Sequence, residues 1–267
     1  MKEYLNRPIK EVIEEHPVVG DILNEFEIGC TTCNVGSCML KDVVDIHFLP
    51  PEQESVLMER IEKAIQGGES REEQTPQPSQ GRRTGKGYSY SEPVRMLVEE
   101  HDLIKRLLAL IPLIVRDIRA NGLDRELILD SLEFIRYFAD RFHHAKEEEI
   151  MFEYADREAD IIQVMYTDHT TGRNHVKSIF EALDGNDKET VIKHLQQYRD
   201  LLTEHIKKED EVLYPWIEHQ MDNKEIEAMH RAFNDEENRL GPETRARYEQ
   251  LVKRLEQKLD TREEVQS

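Results

Sequence analysis

FHHAKEEEIMFEYA, residues 142–155, and TEHIKKEDEVLYPW, residues 203–216, decide how this chain folds. Each carries His-x-x-x-Glu, as His143 to Glu147 and His205 to Glu209, within a long run of charged and apolar residues at helical period. Residues four apart on a helix are neighbours on one face, so each copy presents an imidazole and a carboxylate to one point. That donor pair suits a transition metal such as iron. Two such helices facing each other could hold two metal ions.

Both segments contain a competing register. The stripe through His143 and Glu147 includes Leu132, Ile135, Ala139, Ile150 and Tyr154, whereas the stripe through His144 and Glu148 includes Glu133, Asp140 and Arg141. Only the first faces a core. The stripe through His205 and Glu209 includes Leu195, Tyr198, Leu202, Val212 and Trp216. Asp210 falls nearer Arg199 and Thr203 and needs a local bulge to turn inward, so Glu209 is preferred. Two further helices each place one histidine on the apolar stripe: His101 between Leu97 and Ile104, and His169 between Met165 and Gly172 with Val176. The expected metal ligands are therefore His101, His143, Glu147, His169, His205 and Glu209.

A lone helical histidine is usually structural, and runs such as KEEE and KKEDE are usually solvated. Six donors on four inward stripes reverse that expectation, because buried carboxylates are costly without a compensating cation. For two six-coordinate irons, four histidines and two bridging carboxylates occupy roughly eight of twelve positions. An oxo or hydroxo bridge takes about two more and leaves about two for O₂, NO or peroxide. The Glu-x-x-His pattern of ferritin-like centres is absent.

The surrounding chain reads as all-α. Ser91 offers an N-cap with Pro93 in the first turn, and Asn121-Gly122 closes that first long helix. Pro112 is expected to kink it or end its regular part. Helices follow over about 125–155, 159–183 and 188–215, the second of these stopping in Asp184-Gly185-Asn186. Short connections make this an up-down-up-down four-helix bundle over residues 91–222. Before it come a small helical module, 1–66, and a flexible linker, 67–90, rich in Gly, Pro, Gln and Ser. After it, 223–267 form a helical extension. Its stripe of Tyr248, Leu251, Val252, Leu255 and Leu259 either packs on the bundle or pairs subunits into an oligomer.

The composition, 38% hydrophobic and 34% charged, fits long helices with a wet outer face. A net charge of −20 and a pI near 5.0 argue against nucleic acid or an anionic membrane as partner. No apolar run has the length of a membrane span, and MKEYLNRPIKEV lacks a signal-peptide core; a cytoplasmic protein is expected. Cys30, Cys33 and Cys38 cluster in one turn. They could form a redox disulfide or hold part of an iron–sulfur cluster, with His47, water or another chain completing it.

EEHDLIKRLL, FHHAKEEEIMFEYA, YTDHTTGRNHV and TEHIKKEDEVLYPW together resemble the four ligand helices of the hemerythrin-like (HHE cation-binding) domain, over about residues 91–220. The resemblance implies a non-heme di-iron centre held by the six residues above. There is one departure. Oxygen-carrying hemerythrins have His-x-x-x-His on the third ligand helix, but here Arg173 stands four residues after His169. His175, six residues on, falls on another face. A missing histidine implies an additional open position and favours reactive or iron-donating roles over simple O₂ carriage. Tyr166, Tyr198 and His175 are candidates for residues flanking the metals, and no catalytic residue is assigned beyond the centre itself.

The segment NRPIKEVIEEHPVVGDILNEFEIGCTTC, residues 6–33, is similar to the N-terminal domain of iron–sulfur cluster repair di-iron proteins, the Repair of Iron Centres family. It is also similar to the redox-disulfide domain associated with hybrid cluster proteins. These resemblances imply a di-iron protein of oxidative or nitrosative stress that binds or reduces O₂, NO or peroxide, or supplies iron to damaged clusters. Its cysteines would deliver electrons or receive iron, with a redox partner or iron–sulfur protein as counterpart. An oxidoreductase reducing NO or peroxide, a sensor without turnover, and a store of O₂ or iron all remain open.

Overall fold

A computed structural model describes residues 4–26, 28, 39–41, 43, 49, 51–66 and 90–266. Cys30, Cys33, Cys38, His47 and the linker at 67–89 lie outside the described residues. The described chain is helical, with one isolated antiparallel bridge between Pro8 and Met39, so the all-α expectation holds. No helix among the described residues is long and apolar enough to cross a membrane. The contacts divide the chain into two compact units. One comprises Met1–Ser89, Glu158–Val164 and Lys208–His219; the other comprises Tyr90–Arg157, Met165–Lys207 and Gln220–Ser267.

In the first unit, helices α1 (Ile9–Glu15), α2 (Pro17–Glu25) and α3 (Pro51–Ile65) surround a small core that includes Ile9, Val12, Val19, Leu23, Leu57 and Ile61. Pro17 splits what would be one amphipathic run: it has no N–H to continue α1, but its fixed φ suits the first position of α2.

The second unit opens with α4 (Glu92–Asn121). Ser91 precedes it, Pro93 lies in its first turn, and Gly122 ends it at φ 88, a conformation that side-chain-bearing residues rarely adopt. The helix runs on through Pro112. Buried Leu108, Ile111, Ile114 and Val115 flank that proline on the apolar stripe, and their packing offsets the lost backbone bond.

Helix α5 (Arg125–Phe134) starts at Asp124, whose carboxylate accepts the Leu127 N–H at 3.0 Å. It passes into a π-helical segment, Ile135–His144, then α6 (Ala145–Glu149) and a short 3₁₀ turn, Met151–Tyr154. Next come α7 (Asp160–Asp184) and α8 (Lys188–Lys208), a second π-helical turn at Glu209–Leu213, and α9 (Tyr214–Gln220). Helix α10 (Asn223–Leu240) begins with a capping box between Asp222 and Glu225, and α11 (Thr244–Gln266) closes the chain.

The core of this unit draws Ile104, Leu107 and Ile111 from α4, Leu132 and Phe138 from the α5 run, Ile179 from α7 and Leu195 from α8. Tyr248, Leu251, Val252, Leu255 and Leu259 of α11 belong to the same cluster. Tyr248 lies edge-on to Phe134, with ring centroids 6.0 Å apart. The stripe that sequence left open between intrachain packing and subunit pairing is thus buried by the chain's own bundle. Arg106 fixes α11 from outside, donating to both Glu256 carboxylate oxygens at 3.0 and 2.9 Å.

Candidate metal centre

Five histidines and a glutamate meet inside the bundle. His101 comes from α4, His143 and His144 from the end of the π-helical segment, Glu147 from α6, His169 from α7 and His205 from α8; all are buried. His144, Glu147, His169 and His205 offer donor atoms that all lie within 4.8 Å of one another. His101, His143 and Glu147 form a second such set, so Glu147 is common to both. Its Oε2 lies 3.5 Å from Nε2 of His169 and 3.8 Å from Nε2 of His143. The Nε2 atoms of His169 and His205 are 3.0 Å apart, and the rings of His144 and His169 stack at 3.9 Å.

The outer nitrogens explain why the inner ones converge. Nδ1–H of His143 donates to Glu100 at 2.9 Å, that of His169 to Glu148 at 2.6 Å, and that of His205 to Asp168 at 3.3 Å. A carboxylate on Nδ1 fixes the tautomer, so each ring turns an Nε2 lone pair inward. Converging lone pairs beside a buried carboxylate repel one another until a cation lies among them. With imidazole nitrogens and carboxylate oxygen as donors, the set fits a first-row transition metal. Carboxylate–histidine pairs of this kind recur where histidines bind metals.

Arg173 holds one of these carboxylates, Glu148, together with Asp140. Its guanidinium donates to Asp140 and to Glu148, each at 2.8 Å. Burial alone would raise the Glu148 carboxyl, but His169 and Arg173 hold it below the usual range. At Asp140 burial is likewise outweighed, by His144 and Arg173, and its carboxyl falls to about 2. Glu100 differs: burial pushes its carboxyl up to about 7 against the pull of Lys146. Fully buried Lys146 donates to Glu100 and, at 2.8 Å, to Glu237 of α10, with its ammonium 4.2 Å from the centre of the Phe142 ring.

Of the residues singled out by periodicity, His101, His143, Glu147, His169 and His205 come together. Glu209 is buried on the π-helical turn that continues α8, four residues after His205, while Asp210 is only partly buried. His144, expected on the outer face, is instead buried. The wider turns of Ile135–His144, closed by i→i+5 bonds, delay the helix's rotation and bring a second consecutive histidine round to the core. His144 thus offers an imidazole to the donor set of Glu147, His169 and His205, to which Arg173 contributes none.

Tyr198 is buried and borders a cavity beside His144 and His169, and burial raises its phenol pKa. Tyr166 is partly buried and meets Phe152 edge-on at 5.5 Å. His175 belongs to neither donor set; its Nδ1 lies 2.9 Å from Nδ1 of His194, and burial, then His194, lowers its pKa. Glu100, Glu148 and Asp168 went unrecognised as partners of the histidines. The available signal was their place beside or one turn from a ligand: Glu100 precedes His101, Glu148 follows Glu147 and Asp168 precedes His169. His144→Ala is expected to weaken metal binding at least about tenfold, whereas His175→Ala leaves it unchanged. Metal analysis after competition with a chelator checks this, and equal losses in the two variants would refute the assignment.

A helical bundle with buried, carboxylate-oriented imidazoles around a shared glutamate is a metal-binding protein. More narrowly, residues 92–217 match the family model of the hemerythrin HHE cation binding domain, and the donor residues named above fall within that stretch. The chain is also similar to three curated proteins: the uncharacterized proteins Mb2018 of Mycobacterium bovis, and MT2051 and Rv1995 of Mycobacterium tuberculosis. Each is 28% identical over 153 residues, covering 54% of this chain and 60% of the relative. The chain thus matches less than two thirds of the length of those relatives. No solved structure matches it.

Proposed function

We propose that the chain is a non-heme di-iron protein that binds O₂, NO or peroxide and passes electrons to it. The observation that carries this reading is Glu147, which belongs to two donor sets at once, one with three imidazoles and one with two. His144, His169 and His205 would hold one ion, and His101 and His143 the other. Glu147 would span both. Glu209 is proposed as a further carboxylate ligand, on its burial and its helical spacing from His205. Bound iron supplies an accessible one-electron couple and an electrophilic site for a small ligand.

The chain's own residues supply the rest. Glu100, Glu148 and Asp168 hold the Nδ1 protons and thereby orient the rings. Phe152 stacks over His169 at 6.4 Å and, with buried Phe138 and Phe142, helps keep bulk water out. The Tyr198 hydroxyl, kept protonated by burial, stays available as a hydrogen-bond donor near the donor sets. Cys30, Cys33 and Cys38 are proposed to deliver electrons or receive iron, which includes a role in repairing iron–sulfur clusters under oxidative or nitrosative stress.

A sensor without turnover is the second reading. The link from His143 through Glu100 and Lys146 to Glu237 on α10 favours it, because it ties the centre to an element beyond the HHE domain. Stopped-flow mixing of the reduced protein with O₂, NO or hydrogen peroxide separates the two. Consumption of many equivalents per chain, given a reductant, is expected of the reducing protein. A single stoichiometric adduct that persists would exclude turnover and leave binding alone.

A further inference from the structure

A cavity of about 350 Å³ lies within the second unit, against the donor sets. Its inner end is formed by buried His144 and His169, and its walls by Ile135, Val176, Phe180 and Tyr198. The volume falls in the range of small-molecule sites, about 300–1,000 Å³. A diatomic gas needs little more than the ~30 Å³ of a water molecule in the liquid. The space therefore exceeds the needs of O₂ or NO about tenfold and suits an organic molecule with an apolar body.

The mouth adds a charge. Arg136, Arg173 and Lys177 line the cavity and are exposed. Two of these cations are already answered: Arg173 by Asp140 and Glu148, and Lys177 by Glu181 at 3.9 Å. Arg136 makes no ion pair among the described residues. Its guanidinium lies over the rings of Phe180, at 5.4 Å, and Tyr137, at 5.7 Å. In a chain of net charge −20, an uncompensated guanidinium held over an aromatic ring at the entrance of an apolar cavity is a ready partner for a carboxylate.

We infer that this cavity binds an organic carboxylate, its alkyl or aryl body against Ile135, Val176, Phe180 and Tyr198 and its carboxylate on Arg136. The apolar end would then lie beside His144 and His169. The inference deepens the proposed function by naming a class of organic ligand at the centre, and its binding step stands on the cavity alone. Isothermal titration of the full-length protein with octanoate, and with octanol as its uncharged counterpart, tests it.

Saturable binding of one octanoate per chain is expected, weakened about tenfold or more by Arg136→Gln, while octanol binds both proteins alike. Val176→Phe, which fills the cavity, is expected to abolish binding of both probes; circular dichroism and metal content report that it folds. Three results overturn the proposal: no saturable octanoate binding, binding that Arg136→Gln leaves unchanged, or binding retained in folded Val176→Phe. Metal content is measured on the same wild-type sample. A metal-free protein that binds octanoate would sink the di-iron reading and leave this one standing; a metal-loaded protein that ignores octanoate would do the reverse.

Discussion

Replacing Glu147 with alanine is expected to empty both donor sets at once. Glu147 is fully buried and is the residue shared by the two groups, so its loss removes a ligand from each. Loss of partners that merely orient a ligand typically costs 10–100-fold in metal affinity, so loss of a shared ligand is expected to cost at least about 100-fold. Elemental analysis should fall from about two ions per chain in the wild type, for two six-coordinate sites, to well under one. Without metal the sign reverses. The wild type then buries a carboxylate among converging imidazole lone pairs, and Glu147→Ala relieves that cost. The metal-free variant should therefore melt above the metal-free wild type. Retention of both ions at unchanged affinity would remove the shared-carboxylate description and the di-iron proposal with it.

The second large effect is expected at Lys146. Its side chain is fully buried and bonded to Glu100, itself 1% exposed, and to Glu237. Lys146→Met keeps most of the volume and the contact with Phe142 but leaves Glu100 as a buried acid without its ammonium. Breaking a buried pair from one side costs about 3–5 kcal/mol. Adding Glu100→Gln to Lys146→Met should recover much of that loss, because an uncharged pair carries a smaller burial penalty. Urea unfolding of wild type, both single variants and the double variant measures the coupling. A loss below about 1 kcal/mol in Lys146→Met would mean that the pair is solvated in practice.

The two predictions sit at opposite ends of what could be read from sequence. Helix ends were legible because caps are local: Ser91 with Pro93, Asn121 with Gly122, and Asp184-Gly185-Asn186 each act through their own backbone. The burial of Glu147 and Glu209 was legible because their stripes are apolar on either side. His144 was not, because the stripe argument assumes 3.6 residues per turn throughout, and the segment Ile135–His144 departs from it. Lys146 was hidden for another reason. In KEEE it looks like one more charge on a wet helix, and only Glu100, forty-six residues earlier, and Glu237, ninety-one residues later, make its burial affordable. Long-range partnership of that kind leaves no periodic trace. The cysteine motif was legible as a motif, but its geometry lies outside the described residues.

The π-helical segment also determines how this centre can be gained or lost. Side chains at 143 and 144 both reach the core because of a backbone phase, and no substitution at either position creates that phase. Removing one residue from an exposed position upstream, such as Tyr137, would let the helix wind regularly and rotate everything beyond it by about 100°. His143 and His144 would then stand about 100° apart on a regular helix and could no longer both face the donor sets, with every donor atom still encoded. Chain length in this stretch, counted in single residues, thus carries as much of the chemistry as the residues themselves, and a survey of point substitutions would pass over it.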